Sequence, residues 1–423
     1  MKTHIAGGRL VDPASGRDER ADIFIDGSEI AAIGKAPAKF RAERTIDAQG
    51  LVVCPGLVDV AARLREPGLE YRATLESEAA AAAAGGVTSL ACPPDTDPPL
   101  DEPGLVEMLK YRARNLNLVQ VYPIGALTHA LQGSKLTEMA ELAEAGCVAF
   151  SQGDAPLPDP QMLLRCMQYA VTLGYSVWLR PQEISLSRGG VAHDGEVATR
   201  LGLQAVPAVA ETIAVSTILL LARQTGARVH LCRLSGAESV DMVREAKASG
   251  LPVSCDISAN HLHLTDIDIG DFDSEYNLVP PLRSSRDRDA LRAGLADGTI
   301  DAICSDHTPV DDDAKQLPFA EAAAGATGLE LLLPLTLKWA DEAGIALVQA
   351  LSCLTSAPAR LLGIPAGSIV AGARADLCVY DPSQSWLVDA TRFRSQGHNT
   401  PFAGYELRGR VLYTLLGGHI VYE

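Results

Sequence analysis

The sequence is organised around one stretch, Pro55-Gly56-Leu57-Val58-Asp59-Val60-Ala61-Ala62-Arg63-Leu64-Arg65-Glu66-Pro67-Gly68. After the Pro-Gly pair, the short apolar run of residues 57–60 is typical of a buried strand. Residues 61, 63 and 65 alternate beyond this run, so on an extended chain their side chains point to the same side. The stretch therefore predicts a strand end at which only one of three neighbouring side chains suggests chemistry.

The composition indicates an acidic protein with a large core. The chain has 423 residues, of which 47% are hydrophobic, and a formal charge of −17 with a pI near 5.0. Because lysine and arginine are scattered, we expect no nucleic acid partner. The nine cysteines include no C-x-x-C pair, which is typical of reduced thiols. No signal peptide or run of ~18 apolar residues is visible, so we expect a cytoplasmic location away from membranes.

Both ends of the chain have the character of short β-strands. Near the N-terminus, residues 21–25 and 29–33 flank Asp26-Gly27, a turn pair typical of a hairpin. Similar runs lie near the C-terminus, at residues 375–380, 411–416 and 419–422. We therefore expect residues 1–52 and 364–423 to form one small β-domain from the two chain ends.

The middle of the chain, residues 53–363, alternates between strand-like and helix-like segments. Eight candidate strands occur there, at residues 57–60, 88–92, 119–125, 147–151, 176–180, 227–232, 253–257 and 300–304. Eight strand-helix units predict an α/β fold with a parallel (β/α)8 TIM-type barrel, whose functional groups lie at the carboxyl ends of the strands. A doubly wound open sheet would give similar periodicity and remains the alternative.

The opening stretch resembles the P-G-[LF]-[IV]-D-x-H-x-H-[LF]-R-E-P-G signature of dihydroorotases, which belong to the amidohydrolase superfamily. Ala61 and Arg63 stand where that family has two zinc-binding histidines, whereas Arg65 matches a substrate-contacting arginine. The resemblance covers nearly the whole chain. It implies a TIM-type barrel with a small β-domain and, in the family, hydrolysis of a cyclic amide by zinc-bound water.

The other metal positions implied by the resemblance are also changed. After the fourth strand, Gln152 stands where the family has an aspartate or a carboxylated lysine, and Asp154 is a shifted alternative. Arg180 and Arg233 replace two further histidines, while Asp306 matches the aspartate that binds metal and moves a proton. Arginine has no lone pair to donate to zinc. We therefore expect no metal, no other cofactor and no catalytic residue.

Positions that contact substrate in the family are altered in the same way. Asp95 and Val279 replace asparagines, and Val310 replaces a histidine. A carboxylate at position 95 would repel an anionic substrate. Together with the lost metal positions, these changes predict a non-catalytic protein. The resemblance implies a structural subunit for aspartate carbamoyltransferase in pyrimidine biosynthesis, within a large hetero-oligomer.

Other interpretations remain open at the level of sequence. His261 and His263 have a spacing that suits a metal, and Asp306-His307 is a possible acid/base pair. We interpret His230 as a hydrogen-bonded barrel histidine. The alternatives to a structural role are an active cyclic-amide hydrolase with an unrecognised site and a regulatory subunit that binds an anion through its clustered arginines.

Overall fold

The protein is described by a computed structural model that covers residues 1–155 and 157–423. The strands in these residues are β1 Lys2–Asp12, β2 Arg17–Asp26, β3 Glu29–Ile33, β4 Arg44–Asp47, β5 Val52–Pro55, β6 Leu57–Asp59, β7 Val87–Cys92, β8 Gln120–Ala126, β9 Ala149–Ser151, β10 Val177–Leu179, β11 Ala192–His193, β12 Ala205–Val206, β13 Val229–Leu231, β14 Val253–Ser258, β15 Ala302–Cys304, β16 Leu377–Leu387, β17 Glu406–Leu416 and β18 His419–Tyr422. The α-helices are α1 Leu75–Ala84, α2 Pro103–Leu116, α3 Met139–Ala145, α4 Pro160–Leu173, α5 Ile184–Ser187, α6 Glu196–Leu201, α7 Val209–Thr225, α8 Ala237–Ala248, α9 Ser285–Ala296, α10 Asp312–Lys315, α11 Leu332–Ala343, α12 Leu347–Ser352 and α13 Ser356–Leu362.

Eight parallel strands form a nearly closed barrel in the order β6-β7-β8-β9-β10-β13-β14-β15. A parallel bridge between Ala62 and His307 links the two outer strands just beyond their carboxyl ends. The strands are short and buried on both faces, as expected when helices cover a parallel sheet. The barrel prediction is confirmed, and the open-sheet alternative is wrong.

A second sheet combines strands from the two ends of the chain. Its order is β18-β17-β16-β5-β1-β2-β3, and β4 pairs with β1. The antiparallel pairing of β16 with β5 brings the C-terminal strands beside the strand that leads into the barrel. Aliphatic side chains from both ends fill a core of its own, among them Ile5, Leu10, Ile23, Leu377 and Leu415.

Helix α4 illustrates how local sequence places the segments around the barrel. Asp159 caps its N-terminus by accepting a hydrogen bond from the Gln161 backbone, and Gly174 ends it in a left-handed conformation. Its buried side chains are spaced for one helical face and are Met162, Leu163, Cys166, Met167 and Ala170. No helix of the described residues has the length and apolar character needed to cross a membrane.

A buried hydrogen bond between His307 and the Glu78 carboxylate joins the barrel to the segment that precedes β17. His307 Nε2 lies 2.5 Å from Glu78 Oε2, and both side chains are fully buried. Glu78 also accepts hydrogen bonds from the Ser395 hydroxyl at 2.7 Å and the Gln396 backbone at 3.0 Å. Burial alone would raise the pKa of Glu78, but its contacts with His307 and Ser395 lower it below the usual value. The carboxylate therefore stabilises the junction in its ionised form.

Replacing His307 by alanine should lower the free energy of unfolding by about 1.5–3 kcal/mol, because it removes a buried hydrogen bond to the charged Glu78 carboxylate. Urea unfolding at pH 7 measures the loss, and His419→Ala at an exposed position is the control. The pKa of Glu78 is lower in the folded chain than in the unfolded chain. In the parent chain, its contribution to the free energy of unfolding is therefore present above pH ~4.5 and is lost as the pH falls through the folded pKa. A loss below about 1 kcal/mol would contradict this role of the pair.

Candidate functional site

The sequence-predicted residues come together at the carboxyl end of the barrel. Arg63 lies beyond β6, Arg180 directly after β10, and Arg233 beyond β13, while Asp306 follows β15. Because the carboxyl ends of parallel strands meet at one end of a barrel, these four side chains converge on the same space. Arg63, Arg180 and Arg233 are called the guanidinium triad below, and their side chains are 7%, 10% and 6% exposed.

One carboxylate, that of Asp154, contacts all three members of the triad. Asp154 Oδ2 accepts a hydrogen bond from Arg63 Nη2 at 2.6 Å, and Oδ1 accepts one from Arg180 Nε at 2.6 Å. Arg233 Nη2 donates to the same Oδ1. Asp154, which the sequence offered as a shifted alternative to the metal ligand, is the shared partner of the three arginines.

Gln152, the position aligned with the bridging metal ligand of the family, points away from the triad. Its amide nitrogen donates to Thr128 Oγ1 at 2.9 Å and to the Leu131 carbonyl at 2.8 Å. Between it and Asp154, Gly153 has a φ of +60°, a conformation that glycine adopts without strain. This turn brings Asp154 into the mouth in place of Gln152. Gly153 is the residue in the sequence that could have indicated this turn.

Two further aspartates complete the ionic network. Arg63 Nε donates to Asp95 Oδ2 at 2.8 Å, and Arg233 Nη1 donates to Asp306 Oδ1 at 2.9 Å. Arg63 also donates to the Thr308 hydroxyl at 2.8 Å. Asp95, which the sequence led us to expect would repel an anionic substrate, forms an ion pair with Arg63. Thr308 was not recognised from the sequence as a partner of the network.

The two central carboxylates have opposite pKa shifts. Burial raises the pKa of Asp154, but the charges of Arg233, Arg63 and Arg180 outweigh it and hold the pKa well below the usual range. For Asp306 burial dominates over the attraction of Arg233 and Arg63, so its pKa is raised. Asp154 is therefore a fixed anion, whereas Asp306 binds a proton more readily than an ordinary aspartate.

Arg65 lies at the edge of the network without a carboxylate partner. Its Nε donates to the Pro309 carbonyl at 2.8 Å. Within residues 1–155 and 157–423, Arg65 forms no ion pair. Burial and, secondarily, the charge of Arg63 lower its pKa to about 10. Arg65 has a φ of +62°, Arg233 of +54° and Asp306 of +51°. Such conformations are costly for residues with a side chain and cluster at functional sites.

The remaining predicted positions, Ala61, Val279 and Val310, have apolar side chains. Ala61 is buried, with 8% of its surface exposed, and presents only a methyl group. The Val279 carbonyl accepts a hydrogen bond from Arg233 Nη1 at 3.3 Å, and the Val310 backbone donates to Asn399 Oδ1 at 3.1 Å. Of these two residues only Val279 contributes a backbone group to the ionic network, and neither side chain offers a ligand atom.

His230, Cys232 and Asp256 form a group beneath the triad, in which one potential ligand atom from each lies within 4.8 Å of the others. His230 Nε2 contacts Asp256 Oδ2 at 2.8 Å, and Nδ1 contacts Ser254 Oγ at 2.8 Å. Both ring nitrogens therefore have partners, and a metal ion would have to replace the contact with Asp256. Burial, followed by the charge of Asp256, raises the pKa of the Cys232 thiol well above its usual value.

The structure separates the other candidate pairs. His261 Nε2 faces the Pro281 carbonyl at 3.4 Å, whereas His263 Nε2 faces the Leu335 carbonyl at 2.9 Å. Burial lowers the pKa of each imidazole to about 4. Asp306 faces Arg233 while His307 faces Glu78. Neither pair shares a common ligand position or a proton path.

Comparison with known proteins gives the family. Residues 180–421 match the amidohydrolase family, and residues 50–239 match the family described as dihydro-orotase-like. The chain is 44% identical over 423 residues to a dihydroorotase-like protein of Pseudomonas aeruginosa, with 100% of both chains covered.

This chain is a dihydroorotase-like member of the amidohydrolase family.

Other relatives correct the prediction that the dihydroorotase-like chain is not an enzyme. A protein named dihydroorotase from Geobacter sp. is 40% identical over 423 residues, covering 100% of both chains. The solved L-hydantoinase of Arthrobacter aurescens has a TM-score of 0.89 and 26% identity, and the match covers 100% of this chain and 96% of that one. The names of these relatives point to an enzyme, so the inference from missing histidines alone was wrong.

The residues at the family's metal positions do not fit a zinc centre in this chain. They supply three guanidinium groups, a methyl group from Ala61, an amide from Gln152 that is bonded elsewhere, and the carboxylate of Asp306. Guanidinium groups carry no free lone pair and would repel a divalent cation. The positive charge that a metal would bring to this place is supplied by arginine side chains.

Histidine at positions 61, 63, 180 and 233 should create a zinc site, because it supplies imidazole ligands and frees Asp154 and Asp306 to offer oxygen atoms. The combined variant Ala61→His, Arg63→His, Arg180→His, Arg233→His should take up at least one zinc equivalent in a titration against a chromogenic chelator. The control replaces the three arginines by methionine, which removes the charge without adding imidazole. Uptake equal to that of the parent chain would show that these positions do not converge as described.

Proposed function

We propose that this chain is a cyclic-amide hydrolase that acts on a ring bearing one carboxylate, as in dihydroorotate. The observation that carries the proposal is Arg65, which has no carboxylate partner among the described residues. Four guanidinium groups lie at the mouth against three carboxylates, which leaves one positive charge in excess. A monoanionic ring would balance that charge, and arginine suits bidentate recognition of a carboxylate.

The groups around Asp306 supply what ring opening needs. Its raised pKa suits a general base that takes a proton from water as the water oxygen bonds to the ring carbonyl carbon. Arg233 and Arg63 lie at 2.9 and 3.6 Å from Asp306 Oδ1 and carry fixed positive charge where an oxyanion would develop. Asp306 then returns the proton to the ring nitrogen as the carbon–nitrogen bond breaks. No step in this route passes through a metal ion.

Asp306→Asn should lower kcat for dihydroorotate hydrolysis by about 100-fold or more, because the amide cannot accept the proton. Arg65→Gln should act mainly on KM, because it removes the partner of the substrate carboxylate. In the parent chain kcat should fall as the pH drops through the raised pKa of Asp306, since the base must be ionised. Steady-state assays with dihydroorotate measure these effects.

The control for these assays is Asp271→Asn, a change at an exposed position that removes the same charge. Activity of the parent chain should persist in the presence of a metal chelator. Absence of turnover by the parent chain, or loss of turnover on chelation, would contradict the proposed mechanism.

We also propose that the chain associates with aspartate carbamoyltransferase, as its resemblance to dihydroorotase-like chains suggests. Helix α7 offers a surface that supports such a contact. Val209, Ile213 and Leu220 are 48%, 42% and 61% exposed. At about 100° per residue they lie within ~40° of one another around the helix. An exposed apolar stripe of this kind is typical of a protein interface.

Ile213→Glu combined with Leu220→Glu should abolish the complex with purified aspartate carbamoyltransferase, because it places two charges at the contact. Light scattering after size-exclusion chromatography measures the mass of the complex. Tyr111→Glu on α2, at a side chain that is 64% exposed, is the matched control. Alanine at Arg63, Arg180 or Arg233 should leave assembly intact. An unchanged complex in the α7 variant would exclude this surface.

A further inference from the structure

The contact between Asp154 and the guanidinium triad has the geometry of a ligand in an anion site. Three buried arginines direct donors at one carboxylate, and each makes a hydrogen bond to it. The three arginines come from different strand ends, so the barrel fixes the positions of their backbones around one space. Oriented guanidinium groups on a rigid frame are the usual means of binding carboxylate or phosphate.

Asp154 differs from the other carboxylates of the site in its access to solvent. Its side chain is 31% exposed, whereas that of Asp306 is 6% exposed. Asp154 also follows a glycine turn beyond β9, outside the strand itself. Rotation of this side chain would return its carboxylate to water but would leave Arg180 without a carboxylate partner among the described residues, so an anion from solution would have to take the place of Asp154. Asp306 has no comparable route, because it is enclosed.

A cavity of about 300 Å³ adjoins the outer side of this contact. Asp154, Arg180 and Gln182 supply polar groups to its wall. Apolar side chains from α4, α5 and α7 form much of the rest, including Leu163, Ile184 and Ile218. The cavity gives a small molecule access to Arg180 and provides room for the Asp154 side chain to turn.

The balance of charge identifies the class of ligand. With Asp154 turned out, the three arginines of the triad face the two carboxylates of Asp95 and Asp306, and Arg65 is left for the monoanionic substrate. One positive charge of the triad is then in excess, which a carboxylate or phosphate group would balance. We propose that the guanidinium triad is a binding site for a small anion, which Asp154 occupies until the anion replaces its carboxylate.

This site goes beyond the proposed hydrolase activity, which involves a monoanion at Arg65 and a general base at Asp306. A tethered carboxylate competes with free anions at an effective concentration in the millimolar range or above. Anion binding to the parent chain is therefore weakened by the fraction of time that Asp154 spends in the site. Removing the competing charge should reveal the full affinity of the triad.

Asp154→Asn should bind inorganic phosphate at least tenfold more tightly than the parent chain, as measured by isothermal titration calorimetry at constant ionic strength. Succinate in place of phosphate distinguishes a preference for phosphate from a preference for dicarboxylates, and tightening with either anion supports the site. Arg180→Gln in the Asp154→Asn background should abolish the gain. Asp271→Asn, which changes the net charge equally, should bind like the parent.

The readout is binding rather than turnover, so failure of the hydrolase proposal leaves this test intact. If Asp154→Asn does not fold in dilute buffer, refolding on addition of phosphate but not of sodium chloride would support the site. Equal affinity of the variant and parent for both anions would overturn the proposal. A variant that stays unfolded at every phosphate concentration would also overturn it.

Discussion

The ionic contact of Asp154 with Arg63, Arg180 and Arg233 is the constraint on which the mouth of the barrel depends. A parallel barrel brings the ends of its strands together, so three arginines at those ends converge with little exposure to water. Like charges in such a place are tolerated only when carboxylates neutralise them. Asp154 pairs with all three arginines, and Asp95 and Asp306 supply the remaining negative charge.

The guanidinium triad retains one property of a metal centre and loses another. It keeps positive charge at the axis of the barrel, where carboxylates and developing oxyanions are attracted. It does not lower the pKa of a bound water molecule as zinc does. Chemistry at this site must therefore take its base from a side chain. The raised pKa of Asp306 makes that residue suitable, and Arg65 would, under the proposed function, provide the charge that selects the substrate.

Much of the framework was readable from the sequence because each barrel strand is a short apolar run ending near a polar residue. Arg63, Arg180, Arg233 and Asp306 could be assigned to one place for the same reason. The role of Asp154 could not be predicted from the sequence, because it depends on the turn at Gly153, whose positive φ redirects the chain. The pairing of Asp95 with Arg63 joins residues 32 positions apart and leaves no local pattern. We predicted that the chain is not an enzyme because the metal-binding histidines are absent. Relatives of similar length that are named dihydroorotase contradict that prediction.

Carbon-13 NMR of the chain labelled at aspartate carboxyl carbons tests the central contact most directly, with Asp154→Asn used to assign the signal. We predict that the Asp154 carboxyl stays ionised to the lowest pH at which the fold persists, because the three arginines hold its pKa far below the usual value. An ordinary aspartate would titrate near pH 3.9. Titration of Asp154 near that ordinary value would contradict the account, because it would show that the three arginines do not share this carboxylate.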